Sequence, residues 1–144
     1  MELISGEASE HTSTKRLTAA GLFTIAGLHV LWGLGSSFPS RDREQLADAV
    51  VGTREVPPLK ACMAVAAALT FAAVLVVGVA PFPRVRALAL RAVASVLLTR
   101  GVAGALGRTS TLSPGSDSPT FVRLDKKLYS PLCLWLAAGV RRSI

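Results

Sequence analysis

Two stretches of this chain, Leu17 to Ser40 and Ala61 to Pro83, contain no Asp, Glu, Lys or Arg. Each is long enough to cross a hydrocarbon layer, which takes about 20 helical residues. Backbone polar groups find no water in lipid, so a long apolar span satisfies them internally, as a helix. The fold class expected is all-α, an integral membrane four-helix bundle. Composition agrees: the chain is 51% hydrophobic and 17% charged, against about a quarter charged in soluble domains. A secretory signal peptide competes for the first stretch. Its apolar region should run about 7–15 residues and end in a small-x-small site. This stretch is longer and carries Trp32 and a Gly-rich end, so it reads as an uncleaved helix.

Residues 1–16 read as a polar N-terminal tail, loosely ordered over 1–14. Residues 17–142 read as one transmembrane domain with spans at about 17–37, 61–80, 85–106 and 121–140. In the 38–60 loop, Gln45 to Val51 has room for one or two helical turns ended by Gly52. Pro57 and Pro58 then bar a helix before the second span. Ala64, Ala68 and Ala72 form a small-residue stripe of the kind along which membrane helices approach. Pro81-Phe82-Pro83 leaves room only for an antiparallel hairpin into the third span. The 107–120 segment, rich in Gly, Ser, Thr and Pro, reads as a flexible surface loop. The fourth span is short: its uncharged run, Leu128 to Val140, holds 13 residues, roughly 20 Å of helix. Extending it to Phe121 imports Arg123, Asp125, Lys126 and Lys127. The alternative is three spans plus a re-entrant half-helix starting at Ser130-Pro131, a Ser cap before a first-turn proline.

The net charge of +7 would suit nucleic acid if the basic residues covered one polar face. They instead sit in short clusters beside apolar blocks: Lys15-Arg16, Arg84 with Arg86, Lys126-Lys127 and Arg141-Arg142. Lys and Arg so placed mark helix ends against lipid headgroups. Nucleic acid is therefore not an expected partner, and the lipid bilayer is. The density of Lys and Arg on the short segments puts both termini on the cytoplasmic side of the cell membrane.

Polar side chains inside a span are expensive and therefore functional candidates. His29, Trp32, Gly33 and Ser36 occupy one face of the first helix. Arg91 and Arg100 point to opposite sides of the third, and Arg100 is the one expected to face inward. Asp125, Tyr129 and Cys133 share a face at i, i+4 and i+8. With four spans, His29, Arg100 and Tyr129 all reach a depth of roughly 12 Å from one membrane side. The candidate catalytic set is His29, Arg100, Asp125 and Tyr129, with Trp32, Ser36 and Cys133 as ligand contacts. The plainer reading is an Arg–Asp tie between helices, with His29 and Tyr129 as packing residues. No metal or cofactor is expected, since the sequence has neither Cys/His ligand spacing nor a phosphate-binding glycine loop. HExxH, GxSxG and CxxC are absent. Cys62 and Cys133 read as two unpaired thiols.

The ordered segments His29-Val30-Leu31-Trp32-Gly33 with Gly35, Ser36 and Pro39, then Pro57-Pro58, Arg100-Gly101-Val102 with Gly104, and Phe121 to Cys133 are distinctive together. They resemble a bacterial family of small multi-span membrane proteins known as domain of unknown function 3995. Tyr129-Ser130-Pro131-Leu132-Cys133 is the most specific part. Phe38 stands where the family favours Trp. The resemblance implies a multi-span fold and supports His29, Arg100, Asp125 and Tyr129 as the residues of interest. It implies no activity.

Three functions compete. The first is a non-enzymatic bundle whose polar cluster ties helices or binds a lipophilic small molecule. The second is a membrane-embedded isomerase or cyclase of an isoprenoid-like lipid. There Asp125 and His29 would move protons, Arg100 would tune them, and Trp32 or Tyr129 would face a carbocation. The third, a transporter or proton path, would need a homo-oligomer at this size and shows no inverted repeat.

Overall fold

The computed structural model describes residues 2–79 and 81–144, and its regular structure is helical throughout. The elements are α1 (Glu2–Gly33), α2 (Arg43–Val50), α3 (Leu59–Val77), α4 (Pro83–Ala105), α5 (Thr109–Leu112), α6 (Pro119–Leu124), a π-helical turn (Asp125–Tyr129) and α7 (Ser130–Arg141). The segment expected to be a loose tail is helical: α1 begins at Glu2 and runs unbroken into the apolar stretch. It ends at Gly33, short of the boundary near residue 37.

The α3–α4 hairpin has a defined stop and start. Gly78 takes φ +95°, a left-handed conformation open to glycine at little cost. It lets Val79 N–H reach back to Val74 O, closing a Schellman-type end. Pro83 then occupies the first turn of α4, where its missing N–H costs nothing.

The α1 helix lies along α3, and α4 lies along the π turn and α7. Narrower contacts, α1 with α7 and α3 with α4, join the two pairs. Leu22, Ala72, Val76, Leu90, Ala94, Leu136 and Val140 meet in the buried core between them. Close approach depends on glycine. A Cβ at Gly101 would stand 2.8 Å from Leu134 Cγ, and one at Gly139 would collide with the Thr18 side chain.

The buried residues of α3 are Cys62, Ala66, Ala72, Ala73, Leu75 and Val76. Ala64 and Ala68, expected in the packing stripe, point outward. A helix apolar on every side carries no amphipathic signal to mark its inner face. The helices α3 and α4 are long and apolar enough to cross a membrane, and only 33% and 22% of their apolar stretches are buried within the protein. Phe71, Leu88, Val96 and Val102 are exposed on their outer surfaces.

The 38–58 segment folds back over the ends of α1 and α3. Its helix α2 is capped by Asp42, whose carboxylate accepts from Gln45 N–H at 2.8 Å. Leu46 packs on Trp32 and Cys62 beneath it. Gly52 (φ +78°) closes the segment tightly against the ring of Phe121. The 107–120 segment is likewise more ordered than a flexible loop, since α5 lies within it and Thr109 is buried.

The fourth long helix starts at Pro119, where Ser118 Oγ accepts from Phe121 N–H at 3.1 Å. The six residues of α6, five of the π turn and twelve of α7 form one continuous helix of about 34 Å. No half-helix begins at Ser130. The π turn has a local cause. Pro131 lacks an N–H and crowds the carbonyl four residues back. The helix widens there, and Ser130 N–H bonds Asp125 O, five residues back.

A buried carboxylate as candidate functional site

Among the described residues Asp125 is the buried acid, 1% exposed. It projects from the π turn toward α4 and α5. Arg100 Nη1 stands 2.9 Å from Asp125 Oδ1, and Ser130 Oγ donates to the same oxygen at 3.2 Å. Thr109 Oγ1 donates to Oδ2 in a short hydrogen bond. Arg100 Nη1 is itself buried and aligns no N–H along a hydrogen bond. The contact is thus a charge pair, with direction supplied by the two hydroxyls. Taking a carboxylate out of water is costly, and this one is offset by a cation and two donors.

Local sequence builds this arrangement. Gly104 lies one helical turn beyond Arg100, and a Cβ there would stand 2.7 Å from both Arg100 Nη1 and Asp125 Oδ1. The guanidinium carbon lies 6.0 Å from the centroid of the Phe121 ring, within cation–π range. The π turn decides which side chain meets the acid. By inserting one residue it stacks Ser130, at i+5, on Asp125 and rotates Tyr129 aside. Tyr129 and Cys133 stay within electrostatic reach of Asp125 without bonding it.

The remaining candidates make their hydrogen bonds elsewhere. Tyr129 donates to Ala49 O at 3.0 Å, pinning the end of α2, and its ring sits 6.2 Å from that of Phe121. Cys133 is half-buried and, like Cys62, a free thiol. His29 does not join the carboxylate. Its Nδ1 lies 2.8 Å from Ile25 O; a carbonyl only accepts, so Nδ1 carries the proton. Its ring tilts on Trp32 at 5.0 Å. Trp32 Nε1 donates to Phe38 O at 2.7 Å, and Arg43 bonds Trp32 O at 3.1 Å. Ser36 falls past the end of α1, in the turn, with its hydroxyl accepting from Phe38 N–H at 3.2 Å. His29, Trp32, Cys62, Leu46, Val50 and Pro57 line a small, partly open cavity of about 120 Å³. The convergence expected from depth alone thus resolves into two loci on either side of the end of α2.

Thr109 and Ser130, which complete the shell of Asp125, were not expected. Nothing in a Ser/Thr-rich loop marks which hydroxyl folds inward. No group of three or more His, Cys, Asp or Glu side chains is placed to hold a metal among the described residues. A wider groove of about 790 Å³, lined by Asp42, Asp48, Arg54 and Asp117, lies at the surface beside α2.

A family model matches residues 22–140 and is described as Protein of unknown function (DUF3995). No curated protein and no solved structure matches the sequence.

Proposed function

Because the chain belongs to the family of proteins of unknown function DUF3995, whose description assigns no activity, we propose a function from the site itself. The protein is a multi-pass membrane protein in which α1, α3, α4 and the α6–α7 helix span the bilayer as a bundle. The Arg100–Asp125 pair ties α4 to the fourth span. The outward apolar surface of α3 and α4 supports lipid contact. So do the absence of charge from Leu17 to Gly33 and the exposed Phe23, Leu31, Leu128 and Trp135. In this arrangement the 38–58 and 107–118 segments share one side. The 78–83 hairpin and both termini share the cytoplasmic side, where Arg86 bonds Ser143 O at 2.9 Å.

The observation that carries the tie is the saturation of Asp125, 1% exposed with Arg100, Thr109 and Ser130 around it. A general acid or base needs a path to the proton it moves, and this carboxylate is enclosed by its own partners. The His29 cavity, about 120 Å³, is below the roughly 300–1,000 Å³ of ordinary ligand pockets.

A second reading, acid/base chemistry on an isoprenoid-like lipid, is favoured by the π turn at Asp125, since such turns recur at functional sites. Thermal unfolding in detergent separates the two. Wild type, Arg100→Gln, Asp125→Asn and His29→Ala would be melted with and without a panel of isoprenoid and aromatic lipids. The tie predicts strong loss in Arg100→Gln, little in His29→Ala, and no isoprenoid or aromatic lipid of the panel that stabilises wild type. A lipid that raises the wild-type melting point, but not that of folded His29→Ala or Asp125→Asn, would overturn it for the enzyme.

A further inference from the structure

Three arginines near the 78–83 hairpin end are treated differently by the fold. Arg86 is satisfied by protein: it bonds Leu75 O at 2.7 Å and Ser143 O at 2.9 Å. Arg91 and Arg141 make no ion pair and no side-chain hydrogen bond among the described residues. Both line a single groove of about 470 Å³ between α4 and the end of α7, together with Ala94, Ser95, Leu98 and Ile144. Arg91 stands two turns inside α4, roughly 12 Å from Pro83. A cation at that depth needs a counter-charge or a route to water. No carboxylate among the described residues supplies the first.

The groove pairs two free guanidinium groups with the Ala94, Ser95 and Leu98 stretch of α4, and Leu98 continues into the exposed outer surface of α4 at Val102. We propose that it seats an anionic glycerophospholipid, with the headgroup phosphate between Arg91 and Arg141 and an acyl chain along Ala94 and Leu98. Guanidinium suits this task because its fork meets phosphate oxygens in pairs. The apolar continuation selects a lipid over a free phosphate ion. The inference rests on residence in a bilayer, which membrane fractionation tests separately. It is independent of the Arg100–Asp125 tie.

The test is native mass spectrometry of the full chain released from detergent micelles containing phosphatidylglycerol or phosphatidylcholine. Phosphatidylglycerol should be retained in preference. Arg91→Gln and Arg141→Gln should each weaken it about fivefold, the effect of one basic residue at an anionic lipid surface. Arg108→Gln, at the opposite end of α4, should leave retention unchanged. Ser95→Glu keeps both arginines and sets a carboxylate in the groove, so it should abolish retention without removing a fold contact. Inorganic phosphate at millimolar concentration should not displace the lipid. Equal retention of both lipids, undiminished retention by either glutamine variant, or any retention by Ser95→Glu, overturns the proposal. A loss in Arg108→Gln as large as in Arg91→Gln does so as well, since it would mark diffuse attraction. Full displacement by phosphate overturns the lipid assignment.

Discussion

Arg100 Nη1 and Asp125 Oδ1 stand 2.9 Å apart across two helices, with side chains 29% and 2% exposed. The asymmetry matters: the carboxylate is sealed, while the guanidinium keeps an edge open beside Phe121. Removing the cation therefore strands a buried charge, and removing the anion leaves a cation that can still reach outward. Arg100→Gln should cost about 3 kcal/mol, the low end for a broken buried pair, and Asp125→Asn about half that. The double variant should cost less than the sum, because neither charge is then left alone. Denaturant unfolding in detergent micelles measures all three; strict additivity would count against the tie.

Gly104 should tolerate no side chain. A Cβ would press on Ser130 Oγ, Arg100 Nη1 and Asp125 Oδ1 together, so Gly104→Ala should destabilise by about 1–3 kcal/mol, as overpacking does. Gly27, within α1, has nothing within 4 Å of its added Cβ. Gly27→Ala should be neutral or gain about 0.5 kcal/mol from helix propensity. A pair of melting curves in the same micelle checks both.

Trp32 holds α2 in place through Phe38 O, with Arg43 returning a bond to Trp32 O. Trp32→Phe keeps an aromatic ring on Leu46 and loses the indole donor. It should cost about 1 kcal/mol, the net value of one hydrogen bond. The loss should be local: amide exchange should rise over Arg43–Val50 while α3 and α4 keep their protection.

The four-span arrangement is tested by single cysteines in a background lacking Cys62 and Cys133. Thr53→Cys and Ser110→Cys should react with an impermeant maleimide from one side of the membrane, and Arg84→Cys from the other. All three reacting from the same side would sink the four-span topology and retain only the α3–α4 pair as candidate spans.

The apolar stretches were enough to read an all-helical chain, because lipid leaves the backbone few other ways to satisfy its hydrogen bonds. They also located the α3–α4 hairpin through Pro81 and Pro83, and α2 through Gly52. The need for a partner near Arg100 was equally legible, since Asp125 is the acid that enters when the last span is extended back to Phe121. Helix depth alone, however, grouped His29 with Arg100 and Asp125, and depth does not fix rotation about the axis.

Tertiary structure decided the rest, for two physical reasons. When one side of a helix faces protein and the other is equally apolar, no period marks the inner face, so Ala66 and not Ala64 is buried on α3. The π turn then adds a residue that no spacing rule contains. It turns Tyr129 to Ala49 and brings Ser130 onto Asp125, where Thr109 closes the shell from a loop. The sequence by itself determined that this chain is helical and that Arg100 needs an anion; only packing determined which side chains surround that anion and which do not.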